Sequence, residues 1–241
     1  MSVLLKLFYL ILLCLLVSSC HDATNNYDKN INLDTFSDLR DEKYSLDIVD
    51  IREHISKIAS EDGVALPMDG FVNKYYKEQQ PFLWINRYGI YDRADTLLSL
   101  LKGIGYYGLN KDAFRVSKIE KDLYLARSLD IGSSNDNLNR ILARLEYNLT
   151  KAFLRYSAGQ YFGFVNPDYL YNSLEEYQVD SLTTRFRQLC DLKVLRPDKK
   201  FYFRAISHIL NDSVAEFWHT TLPKGRLVGK LLKELDNPNL T

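Results

Sequence analysis

The chain has 241 residues, 31 Lys and Arg against 31 Asp and Glu, and a hydrophobic content of 46%. That apolar share supports a real core and excludes a chain disordered throughout, and the length allows one large domain or two small ones. The charge balance excludes a nucleic-acid binder, which needs an excess of Lys and Arg on one face.

The first element is a targeting segment. Lys6 precedes eleven apolar residues, Leu7 to Val17, and small residues follow in Val17-Ser18-Ser19-Cys20. A positive flank, a short greasy run and a small-residue cleavage site make a secretory signal. The run is too short for a bilayer-spanning helix, which takes about 20 apolar residues. Its ending resembles a bacterial lipobox, which implies that residues 1–19 are removed and that Cys20 becomes the lipidated first residue. The competing readings are an ordinary signal cut near Ser19 and an uncleaved anchor. Residues 20–45 are rich in Asn, Asp, Thr and Ser with no apolar face, as expected of a flexible tether.

Order is expected from residue 46 to 241. Ile48, Ile51, Ile55 and Ile58 recur at helical steps and predict one apolar stripe. Gly63 and Pro67 punctuate, and Asp69 to Glu78 predicts a helix presenting Phe71, Tyr75 and Tyr76 to a neighbour. Pro81 ends it, leaving Phe82 to Ile85 as a short extended segment before a turn at Asn86 to Gly89. Asp92 is a candidate N-cap for a helix burying Ala94, Leu97, Leu98, Leu101 and Ile104, closed by a left-handed cap at Gly108. Ser117 to Ser128 predicts a helix and Ile131 to Asn135 a loop. The longest helix is expected over Asn135 to Tyr161, where Leu138, Ile141, Leu142, Leu145, Leu149, Ala152, Phe153 and Tyr156 keep one face. A polar stretch, Asn172 to Asp180, precedes further helices over Leu182 to Leu192, Asp198 to Leu210 and Val214 to Trp218, and a Leu-rich one after Pro223. The fold class is mainly α: an irregular multi-helix bundle with one long central helix. A helical solenoid competes, although no signature recurs near 34 residues.

Reactive residues are few. With Cys14 in the signal and Cys20 lipidated, Cys190 is the sole thiol left, so no disulfide framework can form and no Cys-His metal pattern exists. Cys190 occupies an expected helix position, which favours a buried inert thiol over a nucleophile. His54 follows Glu53 without a His-Glu-x-x-His pattern, and His208 and His219 stand eleven apart; no metal or cofactor is expected.

Residues 71–167 carry a family resemblance. Tyr75-Tyr76 precedes Pro81-Phe82-Leu83-Trp84. A leucine-rich helix leads into Tyr107-Gly108-Leu109-Asn110. Leu149-Thr150-Lys151-Ala152-Phe153 is followed by Tyr156, Gly163 and Val165-Asn166-Pro167. In this order and spacing they resemble the N-terminal helical scaffold of the large bacterial L,D-transpeptidases, whose chemistry resides in a YkuD-type domain. Leu222-Pro223 and the closing Leu-rich helix look like that family's lead-in to its next domain. Glu146 stands where the family usually has Asp, which weakens any case for a special role there. Transpeptidation needs a thiolate beside a His and donors for an oxyanion. The resemblance places these on a Ser-x-Gly-Cys-x-Arg segment with a His upstream, and this sequence contains no such segment. No transpeptidase activity is therefore expected of the chain by itself.

The resemblance implies a non-catalytic, lipid-anchored scaffold on the periplasmic side of a bacterial envelope membrane, linked to wall cross-linking or remodelling. His21 rather than Asp directly after Cys20 points to the outer membrane. Tyr75, Tyr76, Trp84, Tyr106 and Tyr107 are candidates to line a groove for glycan or stem peptide, against the plainer use of aromatics as core filling. Peptidoglycan or a wall-remodelling enzyme is the expected partner besides the membrane. The alternatives are a helical adaptor for an envelope protein and one half of a split transpeptidase. A wall hydrolase built on two acids about 5–9.5 Å apart could draw on Glu146, Glu175, Glu176, Asp180 or Asp191, but acids so spaced usually lie on solvated helix faces.

Overall fold

The computed structural model describes residues 42–131, 136–164, 174–180, 182–188, 195–222 and 226–235. Helix α1 (Ile48–Asp62) starts at Asp47, whose side chain accepts the Val49 N–H at 2.7 Å, and it stops at Gly63 with φ 66°. Ile51 and Ile55 are buried and Ile58 packs at the margin, while Ile48 is 61% exposed, so the expected stripe begins one turn later. Helix α2 (Pro67–Lys77) opens with Pro at its first position, where a missing N–H costs nothing. Asp69 reaches back to the backbone N–H groups of Ala65 (3.2 Å) and Leu66 (3.0 Å).

Past Pro81, Leu83 and Trp84 are fully buried and lead into a two-residue hairpin. Strand β1 (Ile85–Asn86) pairs antiparallel with β2 (Gly89–Ile90), and Gly89 at φ 125° makes a turn that a side chain would strain. Helix α3 (Arg93–Lys102) buries Ala94, Leu97, Leu98 and Leu101. Asp92 does not cap it: the residue is already helical (φ −61°, ψ −24°) and its side chain caps no backbone N–H. Ala94 instead donates to the Tyr91 carbonyl at 3.0 Å. Gly108 is left-handed as expected (φ 72°), but it closes a 3₁₀ turn over Gly103–Tyr107 rather than the α-helix itself.

A second 3₁₀ turn (Lys111–Phe114), capped by Asn110, leads into α4 (Val116–Ser128). Helix α5 (Leu138–Phe162) is the centre of the molecule. Asn137 caps it by accepting the Arg140 N–H at 2.8 Å. At about 1.5 Å per residue its 25 residues span roughly 37 Å. It is buried on nearly every side over its middle turns, the signature of a helix enclosed by its neighbours. Helices α1, α2, α3 and α4 pack around it, joined by α6 (Lys199–Leu210) and α7 (Val214–Thr221). Packing around one axis, with no stacked repeat among the described residues, makes this a bundle and not a solenoid. The class is mainly α, as the periodicity predicts.

Aromatic rings seal the side facing α6 and α7. Tyr156 stacks on Trp218 with ring centroids 3.4 Å apart and planes within 6°, and Phe153 meets Phe217 at 5.8 Å. Helix α8 (Arg226–Leu235) packs against the Gly103–Tyr107 turn.

Within the expected helix over Leu182 to Leu192, Thr183–Gln188 forms one strand of a hairpin instead, and residues 189–192 lie outside the described residues. Strand β3 (Leu174–Asp180) pairs antiparallel with β4 (Thr183–Gln188), Glu175 opposite Arg187 and Tyr177 opposite Arg185. The Arg187 guanidinium meets Glu175 at 3.0 Å. The segment Thr183-Thr184-Arg185-Phe186 is β-branched and aromatic, and it follows an acidic strand whose charges it complements. These cross-strand pairs outweigh the helical spacing read over Leu182 to Leu192. Cys190 lies outside the described residues, as do residues 1–41 with Cys20, the expected signal and most of the expected tether.

Candidate functional site

Helix α5 organises the polar interior. Its stripe through Leu142, Leu149 and Phe153 faces the segment that leaves α2, and Glu146 interrupts that stripe with a fully buried acid. Oε1 of Glu146 accepts the Leu83 N–H at 2.5 Å and the Tyr76 hydroxyl at 2.8 Å. Oε2 accepts the Trp84 N–H at 2.9 Å. One turn along, Thr150 Oγ1 takes the indole N–H of Trp84 at 2.8 Å, donates to the Glu146 carbonyl at 2.9 Å, and lies 2.6 Å from the Tyr76 hydroxyl. Two side chains of the central helix thus hold the Tyr76 tip on α2 together with the backbone and indole of the non-helical segment that follows, whose N–H groups have no ladder of their own. Burial pushes the Glu146 carboxyl up to about 7, and the Leu83 and Trp84 N–H groups pull it down without cancelling that rise. Burial likewise lifts the Tyr76 hydroxyl well above its ordinary value, with the neighbouring Glu146 adding to the effect.

A second cluster lies one to two turns further along α5. Lys151, 3% exposed, pairs with Asp62 from the end of α1 and lies 3.5 Å from Asp69 at the start of α2. Arg155 grips Asp69 with both arms of its fork, at 2.8 and 2.7 Å. Arg115 pairs with Asp62 and donates to Asn148 at 3.0 Å, and the Tyr147 hydroxyl lies 2.9 Å from Asn73 Oδ1 and 3.2 Å from Asp62. Burial raises both carboxyls. The hydrogen bonds and charges of Lys151 and Arg115 at Asp62, and of Arg155 and Lys151 at Asp69, outweigh it and hold both below the ordinary carboxylate range. The cluster welds α1, α2 and the turn before α4 onto one face of α5. Its two acids are saturated with donors, which suits holding and not proton transfer.

Three of the aromatics expected to line a groove are core residues. Trp84 is 0% exposed, and Tyr75 and Tyr76 are each 7% exposed. The reason is visible in their polar tips: Tyr76 and Trp84 spend theirs on Glu146 and Thr150, and the Tyr75 hydroxyl donates to the Pro81 carbonyl at 2.8 Å. Trp84 meets Phe153 edge to face at 6.2 Å. These rings offer no open face to a ligand. Tyr107 is half-buried at the 3₁₀ turn, edge-on to Tyr106, which is 53% exposed. The acids considered for hydrolysis are also dispersed. Glu146 is interior with both oxygens occupied, Glu175, Glu176 and Asp180 lie on strand β3 rather than a helix face, and Asp191 is outside the described residues.

Two of the histidines have local partners. His54 meets Asp50 at 3.1 Å, and His208 bonds Ser213 at 2.8 Å while stacking on Phe217. Among the described residues no group of three or more His, Cys, Asp or Glu is placed to hold a metal ion. Sequence reasoning discounted Glu146 and passed over Asp62, Asp69, Arg115, Lys151 and Arg155. For Glu146 a signal existed: the acid falls on the apolar stripe, four residues from both Leu142 and Thr150.

Both polar clusters bond one element to another, which defines a mainly helical platform whose buried charges serve packing. The sequence comparison agrees: residues 70–235 match the Scaffold domain family, and the chain belongs to this family of scaffold domains of L,D-transpeptidase-type proteins. Comparison with curated proteins and with solved structures finds no match. Helix α1 lies upstream of the matched range, yet its Ile51 and Ile55 enter the core and its Asp62 pairs with Lys151.

Proposed function

We propose that this protein is a lipid-anchored, non-catalytic platform on the periplasmic side of a bacterial envelope membrane, and that it serves wall cross-linking or remodelling by L,D-transpeptidases. The observation that carries the reading is the family match over residues 70–235, in a sequence that lacks a Ser-x-Gly-Cys-x-Arg segment. The run from Leu7 to Val17 ahead of Cys20 supports the anchor, with the outer membrane as the destination indicated by His21.

Two measurements test it. The wild-type chain expressed in a Gram-negative host incorporates labelled fatty acid and fractionates with membrane, whereas Cys20→Ala loses the label. Equal labelling of the two excludes the anchor. Purified protein then sediments with isolated sacculi above a control lipoprotein. Sedimentation no greater than the control overturns direct wall contact and leaves an envelope protein as the partner.

A further inference from the structure

An open groove of about 400 Å³ runs between the C-terminal end of α5 and the start of α6. Its walls combine rings with cations. Tyr161 is 55% exposed, while Phe162 and Phe201 form an edge-to-face pair at 5.0 Å beneath it. Arg204 lies against three rings, 5.9 Å from Tyr161, 5.7 Å from Phe201 and 5.8 Å from Phe217. Among the described residues, neither Arg204 nor Lys200 has a carboxylate within ion-pair distance. This contrasts with Arg115, Arg144, Lys151 and Arg155, each of which meets an acid. Arg196 also lines the groove, and the acid there, Asp198, uses Oδ1 to cap α6 by accepting the Phe201 N–H at 2.8 Å.

A guanidinium steadied by rings and left without an acid has its planar fork available to a carboxylate or phosphate. The volume fits a small molecule, for which ligand cavities run about 300–1,000 Å³. We propose that this groove binds a small organic anion, its carboxylate or phosphate held by Lys200 and Arg204 and an adjoining flat or apolar part laid against Tyr161. The site is independent of the membrane anchor and of wall contact, so it stands or falls separately from the scaffold function.

The test uses the full chain in a non-ionic detergent, with saturation-transfer difference NMR and an empty-micelle blank. The probes are N-acetylphenylalanine, phenyl phosphate and the neutral N-acetylphenylalaninamide. At least one anion binds, the amide binds at least about tenfold more weakly, and K200Q/R204Q weakens the anion about tenfold or more. Preference for N-acetylphenylalanine identifies a carboxylate site, and preference for phenyl phosphate a phosphate site. K200Q alone serves as the second variant, because Lys200 is exposed and its loss leaves the ring contacts of Arg204 in place. Amide binding as tight as that of the anions, no binding by either anion, or unchanged affinity in both variants overturns the proposal.

Discussion

Replacing Glu146 by alanine lowers the unfolding free energy by about 3–5 kcal/mol, the cost of stranding several buried donors and opening a cavity at once. The Leu83 and Trp84 N–H groups lose their acceptor in the interior, and the Tyr76 hydroxyl loses one of its partners and keeps Thr150. Glu146→Gln keeps the shape but turns one oxygen into an N–H₂ donor facing another donor, and costs about 1–3 kcal/mol. Urea denaturation followed by circular dichroism measures both. A loss below about 1 kcal/mol in the alanine variant, under the usual cost of one stranded donor, means that the Phe82–Ile85 segment is held by something else.

The same carboxyl sets a pH dependence. Its value in the folded protein, about 7, lies above the ordinary 4.5, so between those values the folded state binds more protons than the unfolded one. The contribution of Glu146 to stability is therefore greatest below about pH 4.5, declines as pH rises through 7, and levels off above. Denaturation midpoints of the wild type fall over that window relative to Glu146→Gln, which has nothing to titrate there. Parallel profiles for the two proteins contradict this assignment.

Asp69→Ala is the other change with a large expected effect, about 3–5 kcal/mol, because removing one partner leaves buried charge uncompensated. Asp69 is fully buried, and its carboxylate answers the Arg155 fork, Lys151 and the N–H groups ahead of α2. Asp69→Asn keeps the volume but removes the counter-charge, and falls between alanine and wild type. The pH sign is opposite to that of Glu146. Asp69 and Asp62 titrate below the ordinary 3.8 in the folded state, so their contribution is present above that value and is lost as pH falls through the depressed ones. Thermal melts from about pH 5 down to about pH 2 show a steeper acid-side loss for the wild type than for Asp69→Asn. Equal slopes would mean that the pairs are too well solvated to matter.

The helical elements were legible because their signals are local. The Leu138-to-Tyr156 spacing predicts α5 to within a few residues of its ends, and Asp198 sits where a cap belongs. Gly63 and Gly108 stop elements where their left-handed backbone is needed. What escaped depends on distance in space. The partners of Asp62 and Asp69 lie 89 and 86 residues away at Lys151 and Arg155, and nothing in a single sequence joins them. The β3–β4 hairpin was hidden because Leu182, Phe186 and Leu189 stand at helical steps in the sequence, and the choice is made by partners on a neighbouring strand, Glu175 facing Arg187 among them. Tyr76 and Trp84 drew attention as ligand-lining aromatics for a sound reason, since both have polar tips. The structure turns those tips inward onto Glu146 and Thr150.

The proposed scaffold reading holds that this chain performs no bond exchange by itself. Incubating the purified full chain with tetrapeptide-bearing muropeptides, then resolving the products by liquid chromatography and mass spectrometry, tests this most directly. A non-catalytic scaffold returns the substrates unchanged. The appearance of 3-3 cross-linked dimers above a no-protein blank contradicts it.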